Sequence, residues 1–290
     1  MTPHYDLIAI GGGSGGLAVA KRAAAHGARA AVIEGGRIGG TCVNVGCVPK
    51  KVMWNAASVA ATLRDAEDYG FGARETTLDW PLLKQRRDDY VQRLNTIHDG
   101  NLKRAGVDLI TGYARFSGHN TVEAGNQEYS ADHIVIATGG KPYVPQLPGS
   151  ELGITSDGFF DLEQQPAKVA IIGSGYIAVE LGGLLNALGS DVTLLARGDH
   201  VLASFDDLIR ETVQNQMIAD GIRIQTRSEV EALTLARQDT LAVVCSSGPE
   251  LQDFDTVIWA VGRTPNTDSL NLAAAEILAA VSQHLHHRAA

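Results

Sequence analysis

A pattern that occurs twice constrains this sequence most. The apolar run LIAI at residues 7–10 has the character of a buried parallel strand. It runs straight into Gly11-x-Gly13-x-x-Gly16, and a helical stretch follows through His26 to Gly27. A second apolar run, residues 30–33, ends on Glu34. Strand, glycine turn, helix and strand make a βαβ unit that carries the dinucleotide fingerprint. The same order recurs with a strand at 169–172, the turn Gly173-x-Gly175-x-x-Ala178, a helix to Leu188 closed by Gly189, and a strand at 192–195. One such fingerprint is weak evidence. Two, with matched strands and helix ends, argue against chance. The expected fold is therefore α/β, with two Rossmann-like dinucleotide-binding domains.

The two copies differ at the end of the second strand. Glycines in such a turn let the backbone approach a pyrophosphate, and the helix start offers it free N–H groups. In the first copy Glu34 is placed to accept hydrogen bonds from ribose hydroxyls. In the second copy Ala196 stands there, followed by Arg197. Loss of the carboxylate and gain of an arginine suit a 2′-phosphate. The first site is expected to take FAD or NAD and the second NADP. The competing reading of Arg197 is a solvated surface arginine.

Length and charge limit the alternatives. A chain of 290 residues allows about two domains. The expected intervals are 1–143, 144–265 and a separate tail at 266–290, with a Pro-rich crossing at 142–148 as the boundary. Helices are expected near 48–69, 81–104 and 206–219. Strands are expected near 107–111, 121–123, 134–137, 222–224, 230–235, 241–245 and 256–260. The net charge of −9 and the lack of basic blocks argue against a nucleic-acid partner. No apolar run approaches the roughly 18 residues of a membrane helix. No export signal is read at the N-terminus, so a reducing cytoplasmic setting is expected.

The three cysteines sharpen this. Cys42 and Cys47 lie in GGTCVNVGCVPKK at 39–51, directly after the first βαβ unit, and Cys245 stands alone. A close pair in a chain without a disulfide scaffold suggests catalysis or metal binding. No second Cys/His pair stands at zinc-ligand spacing, so no metal site is expected. Cys47 precedes a helical stretch, whose positive end favours a thiolate. Two thiols at this spacing can close a small disulfide ring. The structural alternative is a pair of buried apolar cysteines.

These segments resemble the flavin-dependent pyridine nucleotide–disulfide oxidoreductases. The stretches GGGSGGLA, GGTCVNVGCVPKKVMWN, ATGGKP, IIGSGYIAVELGG and WAVGRTPN match that family's motifs almost letter by letter. The likeness runs from about residue 4 to 272 and is greatest to the glutathione-reductase branch. Lys50 and Lys51 follow Val48-Pro49, where dihydrolipoamide dehydrogenases usually have Pro-Ser-Lys, and Arg197 points the same way.

The resemblance implies roles by position. FAD would be held by Gly11, Gly13, Ser14, Gly15, Gly16 and Glu34, with Gly40, Thr41, Thr138 and Gly139. NADPH would be held by Gly173, Gly175, Ile177, Ala178 and Arg197, with Gly262 and Arg263 near the nicotinamide. Cys42 would be the interchange thiol that attacks glutathione disulfide, and Cys47 the charge-transfer thiol beside the flavin. Lys50 would approach the flavin and pair with Glu180, and Tyr176 would cover the flavin until NADPH displaces it. Without the resemblance, Glu180 reads as an ordinary helix carboxylate and Tyr176 as a core aromatic.

The substrate positions match less closely. Ser14, Lys21 and Arg22 fall where the family places groups for the glutathione carboxylates, and Lys21 replaces an arginine, losing bidentate geometry. His98 stands where the family has a tyrosine, and Ala18 is small as in the glutathione-specific branch. Ala203 stands where a second phosphate-binding arginine is usual, with His200 and Arg210 as possible substitutes, so NADPH preference is expected to be weakened.

After Leu272 the resemblance ends in an Ala-rich tail, expected to be helical, with His284, His286 and His287 read as solvated. The family would continue with an Ala-Val-Gly-Asp segment and an interface domain bearing an acid/base histidine. The expectation is a C-terminally truncated chain without the homodimer surface and with impaired glutathione turnover. Loss of general acid/base help alone would cost roughly 10²–10⁴ in rate. The rival readings are a non-catalytic NADP(H)-binding remnant and a related flavoprotein disulfide reductase with another substrate.

Overall fold

A computed structural model describes residues 2–72, 77–237 and 240–277. The first half of the chain runs β1 (His4–Ile10), α1 (Ser14–Ala25), β2 (Ala30–Glu34), α2 (Gly40–Asn44), α3 (Cys47–Asp65), α4 (Trp80–Arg104), β3 (Asp108–Thr111), β4 (Ala114–Gly118), β5 (Thr121–Ala124) and β6 (Gln127–Ile136). The second half runs β7 (Gly140–Pro142), β8 (Ile154–Thr155), α5 (Ser156–Phe159), β9 (Lys168–Ile172), α6 (Tyr176–Ala187), β10 (Asp191–Leu195) and α7 (Asp207–Ala219). It closes with β11 (Arg223–Gln225), β12 (Val230–Leu235), β13 (Leu241–Cys245), β14 (Leu251–Phe254), β15 (Thr256–Trp259) and β16 (Arg263–Pro265).

Contacts divide the chain into two compact units. Of the described residues, the first holds 2–44, 90–141 and 264–277. Its six-stranded sheet has the order β3-β2-β1-β6-β5-β4. β1 pairs in parallel with β2 and β6, whereas β5 runs antiparallel to both β6 and β4. Successive residues of a strand face opposite sides. Ile8 and Ile10 therefore join Ile33, Phe116 and Val122 in one core, while Ala9 joins Leu17, Ala20, Val32 and Leu102 in the other. The small Ala9 and Ala20 let α1 lie close to the sheet. Fully burying Ile8 and Ile33 contributes roughly 1.5–3 kcal/mol each.

The second unit holds residues 45–89 and 142–263. Its five-stranded sheet, β11-β10-β9-β15-β8, is parallel throughout. Both faces are covered, as parallel sheets require, and Val169, Ile171, Val192 and Leu194 are wholly buried. A three-stranded antiparallel sheet, β12-β13-β14, packs its Leu233, Val243 and Phe254 against Ala170, Val257 and Trp259. α3 joins this unit because Met53 and Ala57 bury against Leu181 and Leu184 of α6. Arg87, only 2% exposed, donates to the Phe160 carbonyl and to Asp88.

The units are not the sequence intervals expected. Residues 45–89 pack with the second unit, through Met53, Ala57 and Trp80. The expected separate tail does not begin at 266, because Leu270 and Ala275 are buried in the first unit's core and Asn271 donates to the Phe116 carbonyl. Leu272–Ala275 is a single 3₁₀ turn rather than an α-helix. The rest of the expected helical tail, with His284, His286 and His287, lies outside the described residues. α2, β4, β7, β8, α5, β14 and β16 went unanticipated, since each is five residues or shorter and carries few apolar positions. No described helix is long and apolar enough to cross a membrane.

Candidate functional site

The first unit builds its candidate site at the carboxyl ends of β1 and β2, the edge where such sheets bind ligands. Gly11 has φ +109°, and a Cβ there would collide with the Ala137 carbonyl. A Cβ on Gly40 would lie 2.6 Å from Gly13 Cα, so the turn and the start of α2 approach at backbone distance. Ser14 and Gly15 open α1 and are exposed, while Gly16 is buried. Gly13 is the N-cap residue and offers no side-chain acceptor, which leaves the first N–H groups of the helix for a ligand.

Glu34 anchors this turn. Its Oε2 accepts from Gly12 N at 2.6 Å and its Oε1 from Gly36 N at 2.7 Å. A carboxylate has about four acceptor positions, so both oxygens retain capacity for ribose hydroxyls. Beside it opens a cavity of about 350 Å³, lined by Glu34, Gly36, Ile38, Asn95, Asp99 and Thr111 among others. Sequence reasoning missed Asn95 and Tyr113. Asn95 donates to the Ile38 carbonyl and to Asn44 Oδ1, fixing the loop that leads to Cys42. The exposed Tyr113 ring lies on Gly35, where a Cβ would come within 2.6 Å of it. An amide on the inner face of a helix is the signal that could have found Asn95.

Cys42 sits half-buried in α2, and Cys47 is exposed at the first position of α3. Asn44 caps α2 from within, donating to the Ile38 and Gly40 carbonyls. Thr41 is exposed, and Thr138 and Gly139 follow β6, with Gly139 accepting from Asn266 N at 2.9 Å. Of the substrate candidates, Ser14, Lys21 and Arg22 lie on α1 and His98 on α4. The His98 Nδ1 is buried without a hydrogen-bond partner among the described residues.

The second unit repeats the turn. Gly173 has φ +134°, and its Cβ would collide with the Ala260 carbonyl, the counterpart of the Gly11 arrangement. Gly175 caps α6 without a side-chain bond, Ile177 is half-buried, and Ala178 is fully buried against the core. Tyr176, 56% exposed, is a surface residue and not a core aromatic. Arg197 is exposed immediately after the buried Ala196. The residues brought together most closely are Lys50 and Glu180, whose Nζ and Oε1 lie 2.7 Å apart. Trp54, one turn along α3 from Lys50, packs on Gly183, so the small glycine lets the two helices draw close.

Gly262 has φ +130° and accepts from Tyr143 N. Arg263 lies 3.7 Å from Asp157, a residue the sequence did not mark. Burial pushes the Asp157 carboxyl up, and the Arg263 guanidinium opposes that without cancelling it. These features fit two dinucleotides. The glycine cradles leave no room for a Cβ, the helix starts are bare of side-chain caps, and an acid marks one site and an arginine the other.

Comparison with known proteins agrees. The profile of the family described as pyridine nucleotide-disulphide oxidoreductase matches residues 5–281. A glutathione reductase of Yarrowia lipolytica is 46% identical over 286 residues, covering 93% of this chain and 61% of the relative. Among solved structures, the Cu(II) complex of the HOCl-induced flavoprotein disulfide reductase RclA from Escherichia coli matches with a TM-score of 0.81 at 29% identity. That match covers 96% of this chain and 60% of the other. A cysteine-to-serine mutant of the same protein, also a Cu(II) complex, gives a TM-score of 0.83 at 28% identity over the same shares. The chain thus spans about 60% of the length of these relatives. With two glycine turns of matching geometry, a cysteine pair between them and a profile match over nearly its whole length, the chain belongs to the pyridine nucleotide–disulphide oxidoreductase family.

Proposed function

We propose that this chain carries the NADPH-, FAD- and dithiol-bearing part of a glutathione-disulfide reductase working in the cytoplasm. The observation that carries the reading is the Lys50–Glu180 ion pair, which ties the cysteine-bearing helix to the helix of the second glycine turn. The 46% identity to a glutathione reductase supports the choice of substrate.

FAD, when bound, would supply the two-electron redox chemistry that links NADPH to a disulfide. Glu34 and the N-terminus of α1 would hold the adenosine diphosphate part of that cofactor, and Arg197 with the N-terminus of α6 would hold NADPH. Lys50 keeps a positive charge in place, with Glu180 fixing its side chain. The electron pair would cleave the Cys42–Cys47 S–S bond to two thiolates. The Cys42 thiolate then attacks one sulfur of glutathione disulfide, and the S–S bond breaks to release one glutathione thiolate. The Cys47 thiolate attacks the Cys42 sulfur of the mixed disulfide, releases the second glutathione thiolate and restores the Cys42–Cys47 bond. Solvent protons convert both thiolates to thiols.

The test is an absorption spectrum of the purified chain after FAD is added and excess removed, followed by NADPH oxidation with glutathione disulfide. The reading expects retained flavin and oxidation that depends on the disulfide. A folded chain that holds no flavin would reduce it to a nucleotide-binding protein. Retained flavin with NADPH oxidation driven by another disulfide and not by glutathione disulfide would point to another substrate.

A further inference from the structure

Three segments of the second unit meet at the carboxyl edge of its parallel sheet. β8 pairs with β15, Ile154 with Ile258 and Thr155 with Trp259, so α5 and the loop after β15 leave that edge side by side. β9 lies on the other side of β15 and runs into the second glycine turn. A Cβ on Gly173 would strike the Ala260 carbonyl and come within 3.3 Å of Val261 N. The turn is thus in backbone contact with the loop that carries Arg263, two residues beyond Val261. Gly262, at φ +130° with its carbonyl held by Tyr143 N at 3.0 Å, fixes the backbone that presents Arg263. Asp157 sits in the first turn of α5, whose start Thr155 caps by accepting from Gly158 N at 3.4 Å. Its Oδ1 accepts from Ser156 Oγ at 3.4 Å and stands 3.7 Å from Arg263 Nη1. That separation exceeds a direct hydrogen bond, so the carboxylate draws the guanidinium by charge. Burial resists the Asp157 charge more than Arg263 supports it, and Asp161 adds to the resistance. Such a pair gives the fold little stability, so its value lies in where it holds the guanidinium.

We propose that Asp157 is a positioning residue that aims the Arg263 guanidinium at the nicotinamide half of the dinucleotide in the second glycine turn. An arginine side chain gives up much rotamer freedom when it grips an anion. A carboxylate held on a capped turn removes part of that loss beforehand, which is how preorganisation raises affinity. The proposal rests on the reading that this turn takes NADPH, whose pyrophosphate supplies the anion.

The test measures equilibrium binding of NADP⁺ and of adenosine 2′,5′-bisphosphate, which lacks the nicotinamide half, to the full chain by calorimetry. Wild type should bind both. Arg263→Gln should lose about tenfold or more of the NADP⁺ affinity and Asp157→Asn about threefold or more, with the bisphosphate unchanged in each. With Arg263→Gln already present, Asp157→Asn should cost nothing further, because it acts through that arginine. Circular dichroism identifies a variant that has failed to fold, and Asp157→Ser then takes the place of Asp157→Asn. A carboxylate that merely held the loop together would go on costing affinity beside Arg263→Gln and would weaken the bisphosphate as well, and either result would overturn the proposal. NADP⁺ affinity unchanged in either single variant, or tighter in Asp157→Asn, would overturn it while leaving the NADPH reading intact. A wild-type chain that binds neither probe would overturn both.

Discussion

Lys50 Nζ donates to Glu180 Oε1 at 2.7 Å, joining the cysteine-bearing helix α3 to α6 within one unit. The side chains keep 23% and 39% of their exposure, so the pair is only partly desolvated. Removing the charge should therefore cost little stability, about 1 kcal/mol or less, once solvent screening is allowed for. Glu180→Gln is expected to unfold in urea almost as wild type does. It should nevertheless slow NADPH-driven reduction of the cysteines in stopped flow. Equal rates in the two proteins would make the pair purely structural.

Gly11 and Gly173 occupy equivalent places with φ +109° and +134°, and in each a Cβ would strike a carbonyl, of Ala137 and Ala260 respectively. Both residues are held by their own N–H groups, Ala137 donating to the Ile10 carbonyl and Ala260 to the Ile172 carbonyl, each at 2.8 Å. Gly11→Ala and Gly173→Ala should each lose roughly 2–4 kcal/mol in chemical denaturation, through left-handed strain plus collision. Losses below about 1 kcal/mol would mean the turns are looser than their geometry indicates.

Glu34 holds two backbone N–H groups, of Gly12 and Gly36, at 2.6 and 2.7 Å. Glu34→Ala leaves both without their charged acceptor, at about 1–3 kcal/mol. FAD affinity, followed by flavin fluorescence, should fall at least tenfold. Binding of adenosine 2′,5′-bisphosphate should stay unchanged, because that probe is assigned to the other unit. A parallel loss of both would refute separate sites.

Cys245 is 9% exposed, and burial, helped by Glu231, pushes its thiol above the usual 9.0. The folded state thus resists the thiolate that the unfolded chain forms readily. Below 9.0 this costs nothing, and above it stability falls as pH rises. Cys245→Ala should flatten the decline in stability between about pH 9 and 10. In the reduced, folded chain at pH 8, iodoacetamide should label the exposed Cys47 first and Cys245 last. Labelling of Cys245 ahead of Cys47 would contradict the burial.

Much of this was legible because the decisive signals are local. Glycine spacing, a flanking apolar run and the residue after β2 or β10 specify a βαβ unit without knowledge of distant packing. The cysteine motif likewise occupies one continuous stretch. What was not legible depends on contacts far apart in the chain. Nothing local in residues 45–89 says that Met53 and Ala57 bury against α6, and nothing in 270–275 says that Leu270 and Ala275 fill the first unit's core. β4 was overlooked because only Ala114 and Phe116 of its five residues face inward. Asn95 and Asp157 were missed because a polar residue on an inner face gains meaning only once its partner is placed.

The most direct test of the central claim is an anaerobic thiol count on the FAD-loaded, air-oxidised chain, before and after one equivalent of NADPH. The account predicts two new thiols per chain, mapped by labelling to Cys42 and Cys47, and none in Cys47→Ser. NADPH consumed by the flavin-bearing chain with no new thiols at Cys42 and Cys47 would contradict it.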